Sequence, residues 1–213
     1  MKILQSIIIG FLLVACERNS INTEQDYFRW LSDKSNHLSI SKTVSDVKMT
    51  VKYLPPEYLT FNELKNRPYD KTLKDSLLMV YQQNRTFLLS FSSDKDNATG
   101  NSPDVMYHDI SNLEEYNQRF EDLTFNIGNY IKLKTDSNIY IPILHVFENT
   151  YGISPYRSIY LVFGKKGLKH DDLLSSNKYE LVFNDLIFST GISYFSFDKK
   201  RIDNIPHINF WKR

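Results

Sequence analysis

The chain predicts a mainly β fold of the α+β kind, an antiparallel β-sandwich or open barrel with one or two short helices. Three observations carry that expectation. Aromatic residues are dense, with 14 Phe, 14 Tyr and 2 Trp, and they fall mostly on strand-like runs that suit a pleated, half-buried surface. Val47, Met49, Val51 and Tyr53 alternate with Lys48, Thr50 and Lys52, the period-two pattern of a strand with one wet face. The second half then breaks into short apolar segments at the spacing of an antiparallel sandwich.

Each element follows from local signals. Thr23-Glu24-Gln25-Asp26 precedes Tyr27, Phe28, Trp30 and Leu31 and can cap a short helix. A strand is expected over Lys42 to Leu54, stopped by Pro55-Pro56, because proline cannot donate to a ladder. Thr60 and Glu63 have the spacing of a capping box, which starts a brief helical turn. Leu73, Leu77, Leu78 and Tyr81 recur at helical spacing and predict a helix from Lys71 to Gln83. Thr86 to Ser92 reads as a strand, and the polar stretch Ser93 to Asp104 as a surface loop. Ser111-Asn112-Leu113-Glu114 opens a second helix to about Thr124, with Leu113, Tyr116, Phe120 and Leu123 as its apolar stripe. Five further strands are expected at Tyr130–Lys134, Ile139–Glu148, Ser158–Phe163, Tyr179–Ile187 and Ile192–Phe197.

The N-terminus has a different character. Lys2 is followed by 13 positions, Ile3 to Ala15, that are apolar apart from a few small or polar residues, and then by Cys16, the one cysteine of the chain. That run is too short for a transmembrane helix, which needs about 20 apolar residues. A charged start, an apolar middle and a small residue at the end are the layout of a secretory signal. Leu13-Val14-Ala15-Cys16 resembles the lipobox of bacterial lipoprotein precursors. The resemblance implies cleavage between Ala15 and Cys16, diacylglycerol on the Cys16 sulfur and acylation of the new N-terminus. Multiple acyl chains give stable anchoring where one is marginal. The organisation expected is a signal peptide over 1–15, a flexible polar tether over 16–25 and a single β-rich domain over 26–213. With no second cysteine, that domain has no intramolecular disulfide and depends on its core.

A weaker likeness extends further. The lipobox, Trp30-Leu31, the strand ending Val51-Lys52-Tyr53-Leu54-Pro55, a mid-chain helix and Phe- and Tyr-rich strands together resemble uncharacterised lipoproteins of Bacteroidota. Asp75-Ser76-Leu77 resembles the short O-glycosylation acceptor site of exported proteins of that group, which implies a glycan on Ser76. These likenesses carry over no other functional residue.

Composition and motifs set limits on chemistry. Residues 16–213 carry 25 Lys plus Arg against 25 Asp plus Glu, a balance that gives no case for nucleic acid or for electrostatic attraction to anionic lipid. The five histidines, His37, His108, His145, His170 and His207, include no i, i+4 pair that would ligate a metal from one helix face. His108-Asp109 and His170-Asp171-Asp172 read as loop polarity, and the latter is the first place to look for a metal. Asp94 to Gly100 lacks the glycine and glutamate positions of an EF-hand. Gly164-Lys165-Lys166-Gly167 lacks P-loop spacing and reads as a turn. Glu114-Glu115 and Glu121-Asp122 read as the wet face of a helix. No catalytic or metal residue is assigned, and no cofactor is called for.

The function expected is a lipid-anchored envelope protein, a non-enzymatic binding or assembly module at the cell membrane or outer membrane. Its partners would be the membrane, through Cys16, and an envelope protein or glycan. Two alternatives stay open at this level, an envelope-polymer hydrolase and a membrane-anchored inhibitor or immunity protein. Gathering of His145, His170 or loop carboxylates in one cleft would favour the hydrolase.

Overall fold

A computed structural model describes residues 20–94, 103–148, 154, 156–165, 167 and 171–211. The first half contains β1 (Ser20–Ile21), α1 (Glu24–Ser32), β2 (Ser39–Val44), β3 (Val47–Leu54), α2 (Pro56–Leu64), α3 (Lys71–Gln82) and β4 (Arg85–Ser93). Then come α4 (Leu113–Glu121), β5 (Ile131–Lys134), β6 (Ile139–Tyr140), β7 (Leu144–Glu148), β8 (Arg157–Phe163), β9 (Lys178–Asp185), β10 (Gly191–Asp198), α5 (Lys199–Asp203) and β11 (His207–Ile208).

Two antiparallel sheets form the body, one ordered β2-β3-β4-β8-β7 and the other β10-β9-β5-β6. Their inward side chains alternate with outward ones, as β8 (buried at Arg157, Ile159, Leu161 and Phe163) and β10 (buried at Ser193, Phe195 and Phe197) show. The two inner faces meet through rings, with Phe87 5.2 Å from Phe197 and Phe91 5.7 Å from Phe183, centroid to centroid. Edge-on and tilted ring pairs of this kind add to the apolar area they bury. The expected mainly β, sandwich-like α+β fold is the fold observed, and the sheets do not close into a barrel.

Where elements differ from expectation, the cause is local. The single strand expected over Lys42–Leu54 is a hairpin. Ser45 and Asp46 take left-handed φ angles of 48° and 63°, the backbone of a two-residue type I′ turn. Val44 then pairs with Val47, so the apolar alternation runs through the turn and hides it. The strand expected over Ile139–Glu148 is two strands in different sheets, because the chain leaves β6 at Ile141-Pro142-Ile143 and crosses to β7. There are five α-helices among the described residues instead of one or two. Pro55-Pro56 both stops β3 and starts α2, with Pro56 in the first turn, where its missing N–H has no partner to lose. Thr60 therefore sits inside α2 and donates back to the Pro56 carbonyl at 2.9 Å.

The helices that sequence placed best are those with readable caps. Thr23 accepts from Asp26 N at 3.1 Å at the head of α1, and Asp70 accepts from Leu73 N at 3.1 Å at the head of α3. The cap of α4 is Asn112 rather than Ser111. Its side chain accepts from Glu115 N, and Glu115 reaches back to Ser111 N at 2.7 Å. Of the stripe expected on this helix, Leu123 is buried but Leu113 is 73% exposed. The polar stretch expected to be tether as far as Gln25 already contributes to the fold. Ser20 pairs with His207 and Ile21 with Ile208 in a short parallel ladder, and α1 begins at Glu24.

Phe87 is fully buried and touches the rings of Tyr53, Phe163 and Phe197. Phe87→Ala should lower the unfolding free energy by about 3–5 kcal/mol, the cost of a cavity in a core that cannot collapse freely. Denaturant titration checks this through a fall in midpoint at unchanged slope.

Candidate functional site

A concavity lies where β3 gives way to α2. It has a volume of about 880 Å³. Tyr27 and Trp30 of α1, Tyr53 at the end of β3 and the residues Pro55 and Pro56 supply its apolar wall. Asn36, Glu57, Gln82, Asp203, Asn204 and His207 supply its polar groups, and Ile202, Ile205 and Pro206 complete it. The volume is within the range of small-molecule clefts, and the mix of apolar wall and few polar groups is what such sites use for orientation.

Two pieces of the chain 150 positions apart build the polar side. Pro55 and Pro56 fix the start of α2 and place Glu57 in its first turn, where the exposed N–H groups and helix dipole favour a carboxylate. Glu57 then reaches the C-terminal strand. One oxygen contacts His207 Nδ1 at 2.6 Å and the other accepts from Ile208 N at 2.7 Å. This carboxylate thus holds β11, and β11 in turn holds β1. Burial, with the Glu57 charge adding to it, pushes the Tyr27 hydroxyl well above its ordinary value, and that hydroxyl has no hydrogen-bond partner. Burial also pushes the Tyr53 hydroxyl up to about 12, so both phenols stay neutral. Asp203 at the rim pairs with Lys199.

The set has a definite chemical reach. A carboxylate-held imidazole is one element of general-base chemistry, and His207 keeps an exposed ring. Among the described residues, no serine, threonine, cysteine, lysine or arginine lines the cleft. Among the described residues no group of three or more His, Cys, Asp or Glu side chains is placed to hold a metal ion. What the walls offer is the half-buried Trp30, amides and carboxylates, since Tyr27 and Tyr53 are each 1% exposed.

The residues singled out from sequence fall elsewhere. Ala15, Cys16 and His170 lie outside the described residues. Asp171 and Asp172 serve a turn. Asp172 accepts from Thr135 Oγ1 and Asn138 Nδ2 at 2.7 Å each, from Ser137 N at 2.9 Å and from Tyr140 Oη at 3.0 Å. Those bonds tie the β5–β6 hairpin to the segment before β9. Burial pushes the Asp172 carboxyl up, and these donors more than reverse it, leaving it below the ordinary value of 3.8.

His145 packs against Gly128, where an added Cβ would stand 3.0 Å from its Nδ1. His108, read as loop polarity, has a buried ring and meets Asp109 at 3.2 Å, without the alignment of a hydrogen bond. A left-handed φ of 49° at Asp109 accompanies that approach of two neighbours. Ser76 is exposed in the middle of α3 and Leu77 is half-buried, so the packing that would compete with a glycan there is slack. The described histidines do not gather in one place. Glu57, Asn36, Gln82 and Asn204 were not singled out at all, and the one sequence signal near them is the proline pair that opens α2.

No protein-family model matches the chain, and no curated protein sequence matches it. Among solved structures, the crystal structure of a novel protein of unknown function from Burkholderia pseudomallei K96243 aligns with it at 8% identity. The alignment covers 85% of this chain and 87% of that one, with a TM-score of 0.39.

Glu57→Ala should free β11, because the buried Ile208 amide loses its acceptor, at a cost of about 1–3 kcal/mol. Hydrogen exchange should show faster exchange at Ile208 and its neighbours while β4 and β8 keep their protection. For Asp172, a depressed carboxyl contributes stability above its unfolded pKa and loses it as pH falls through the folded value. Asp172→Asn should therefore be less stable than the parent at neutral pH, with the gap closing below 3.8. Denaturation midpoints of both proteins across that range check it.

Proposed function

We propose that the protein is a lipid-anchored envelope protein whose domain presents a non-enzymatic ligand-binding cleft at a membrane surface. The observation that carries the binding half of this reading is the cleft itself, about 880 Å³ and lined by the half-buried Trp30 together with amide and carboxylate side chains. Among the described residues its lining supplies recognition groups and no serine, threonine or cysteine.

The anchoring half rests on Leu13-Val14-Ala15-Cys16 and its likeness to a lipobox. No helix among the described residues is long and apolar enough to cross a membrane.

Cys16→Ala tests the anchor. The parent should partition with membranes and into detergent phase, carry acyl chains by mass spectrometry and lack residues 1–15. The variant should lose the acylation and leave the membrane fraction. A Cys16→Ala protein that stays membrane-bound contradicts the reading.

A further inference from the structure

We infer that the cleft beside Glu57 and His207 binds a neutral saccharide, as free oligosaccharide or as a glycolipid headgroup. This rests on the binding-cleft reading above and goes further by naming the ligand class. Three observations lead to it.

The first is charge. Glu57 and Asp203 line the cleft, and among the described residues neither lysine nor arginine does. Phosphate and carboxylate ligands are ordinarily held by guanidinium or ammonium groups, and this wall offers acidic groups in their place. The one imidazole, His207, already faces the Glu57 carboxylate at 2.6 Å. Asp203 pairs with Lys199 in the same way, so the cationic groups next to the cleft are already engaged by its own carboxylates.

The second is the hydrogen-bonding inventory. Gln82 and Asn204 are exposed at the cleft, and an amide side chain both donates and accepts. Sugar hydroxyls also donate and accept, so amides and carboxylates match them in pairs. Trp30 is half-buried in the same wall, and an indole gives the flat apolar surface on which the C–H face of a pyranose rests. Trp30 packs against the core on one side, while Trp211 packs edge-on against Phe61 at 5.9 Å.

The third is position. His207, a lining residue, is the ladder partner of Ser20. Ser20 follows Cys16 by four positions, a link whose contour is no more than about 14 Å. On the lipid-anchor reading, the cleft is then held within reach of headgroup sugars, and a membrane glycolipid and a soluble oligosaccharide present the same chemistry to it.

The test uses the mature lipidated protein in phosphatidylcholine vesicles, with Trp211→Phe so that Trp30 is the only tryptophan reporting by fluorescence. Cellotriose, maltotriose and chitotriose form the soluble arm. Vesicles containing digalactosyldiacylglycerol form the membrane arm, and inorganic phosphate is the anionic control. A saturable change in Trp30 emission is expected in one or both saccharide arms, and none with phosphate. A response confined to the glycolipid vesicles assigns the headgroup source, and a response to a free trisaccharide assigns the soluble one.

Gln82→Ala with Asn204→Ala, both at exposed positions, should weaken the response about tenfold, the loss expected for two hydrogen bonds of ordinary strength. The fold itself is checked by an unchanged unfolding midpoint. Saturation by phosphate, silence in both saccharide arms, or full affinity in the double variant overturns the saccharide assignment. Retention of the protein on the vesicles in those same samples shows that the anchor reading stands apart from that failure.

Discussion

Everything in this fold depends on two apolar sheet faces having to cover one another. Phe87, Phe91, Leu89 and Leu161 on one sheet and Leu181, Phe183, Phe195 and Phe197 on the other are almost fully buried, and burying a large side chain contributes on the order of 2–3 kcal/mol. With one cysteine in the chain there is no intramolecular disulfide to share that task. The aromatic content is therefore core material first. A consequence is that function is left to the ends of the sandwich, where strands stop and loops take over.

At one of those ends the chain closes on itself. The proline pair after β3 sets Glu57 at the head of α2, Glu57 holds β11, and β11 pairs with β1. The same few residues thus fix the entry of the chain into the fold, its last strand and one wall of the cleft. A carboxylate that accepts both a backbone amide and an imidazole has little freedom to act alone, which is why positioning is its role here. The three facts on which the functional account depends, the short N-terminal ladder, the Glu57 clamp and the cleft, are one piece of structure. Loosening any part of it should be felt in the others.

Most of the body of the fold was legible in the sequence. Period-two alternation located β3 and β8 to β10, and helical spacing located α3 to within a residue at its C-terminus. What was missed shares a physical cause, since local patterns do not report where a strand goes next. The Ser45-Asp46 turn preserves the apolar alternation, so β2 and β3 read as one strand. Pro142 sits where the chain changes sheets, and the run Ile139–Glu148 stays apolar across it. The cleft was less legible still. Glu57 and His207 are 150 positions apart, and the proline pair before Glu57 signals a helix start, not a partner at His207. His170-Asp171-Asp172 drew notice because its acidic residues adjoin, yet Asp172 is consumed by four donors that hold a turn.

The central claim is that the cleft end of the domain is the end held at the membrane. It can be measured with nitroxide labels, because under the proposed acylation of Cys16 an introduced cysteine would be the sole free thiol. Gln82→Cys places a label at the cleft. Thr43→Cys places one beside the Ser45-Asp46 turn, at the far end of β3 and about 20 Å away along the strand. In vesicles bearing a nickel-chelating lipid, the Gln82 label should be relaxed strongly and the Thr43 label weakly. Equal relaxation at the two sites, or stronger relaxation at Thr43, would contradict the account.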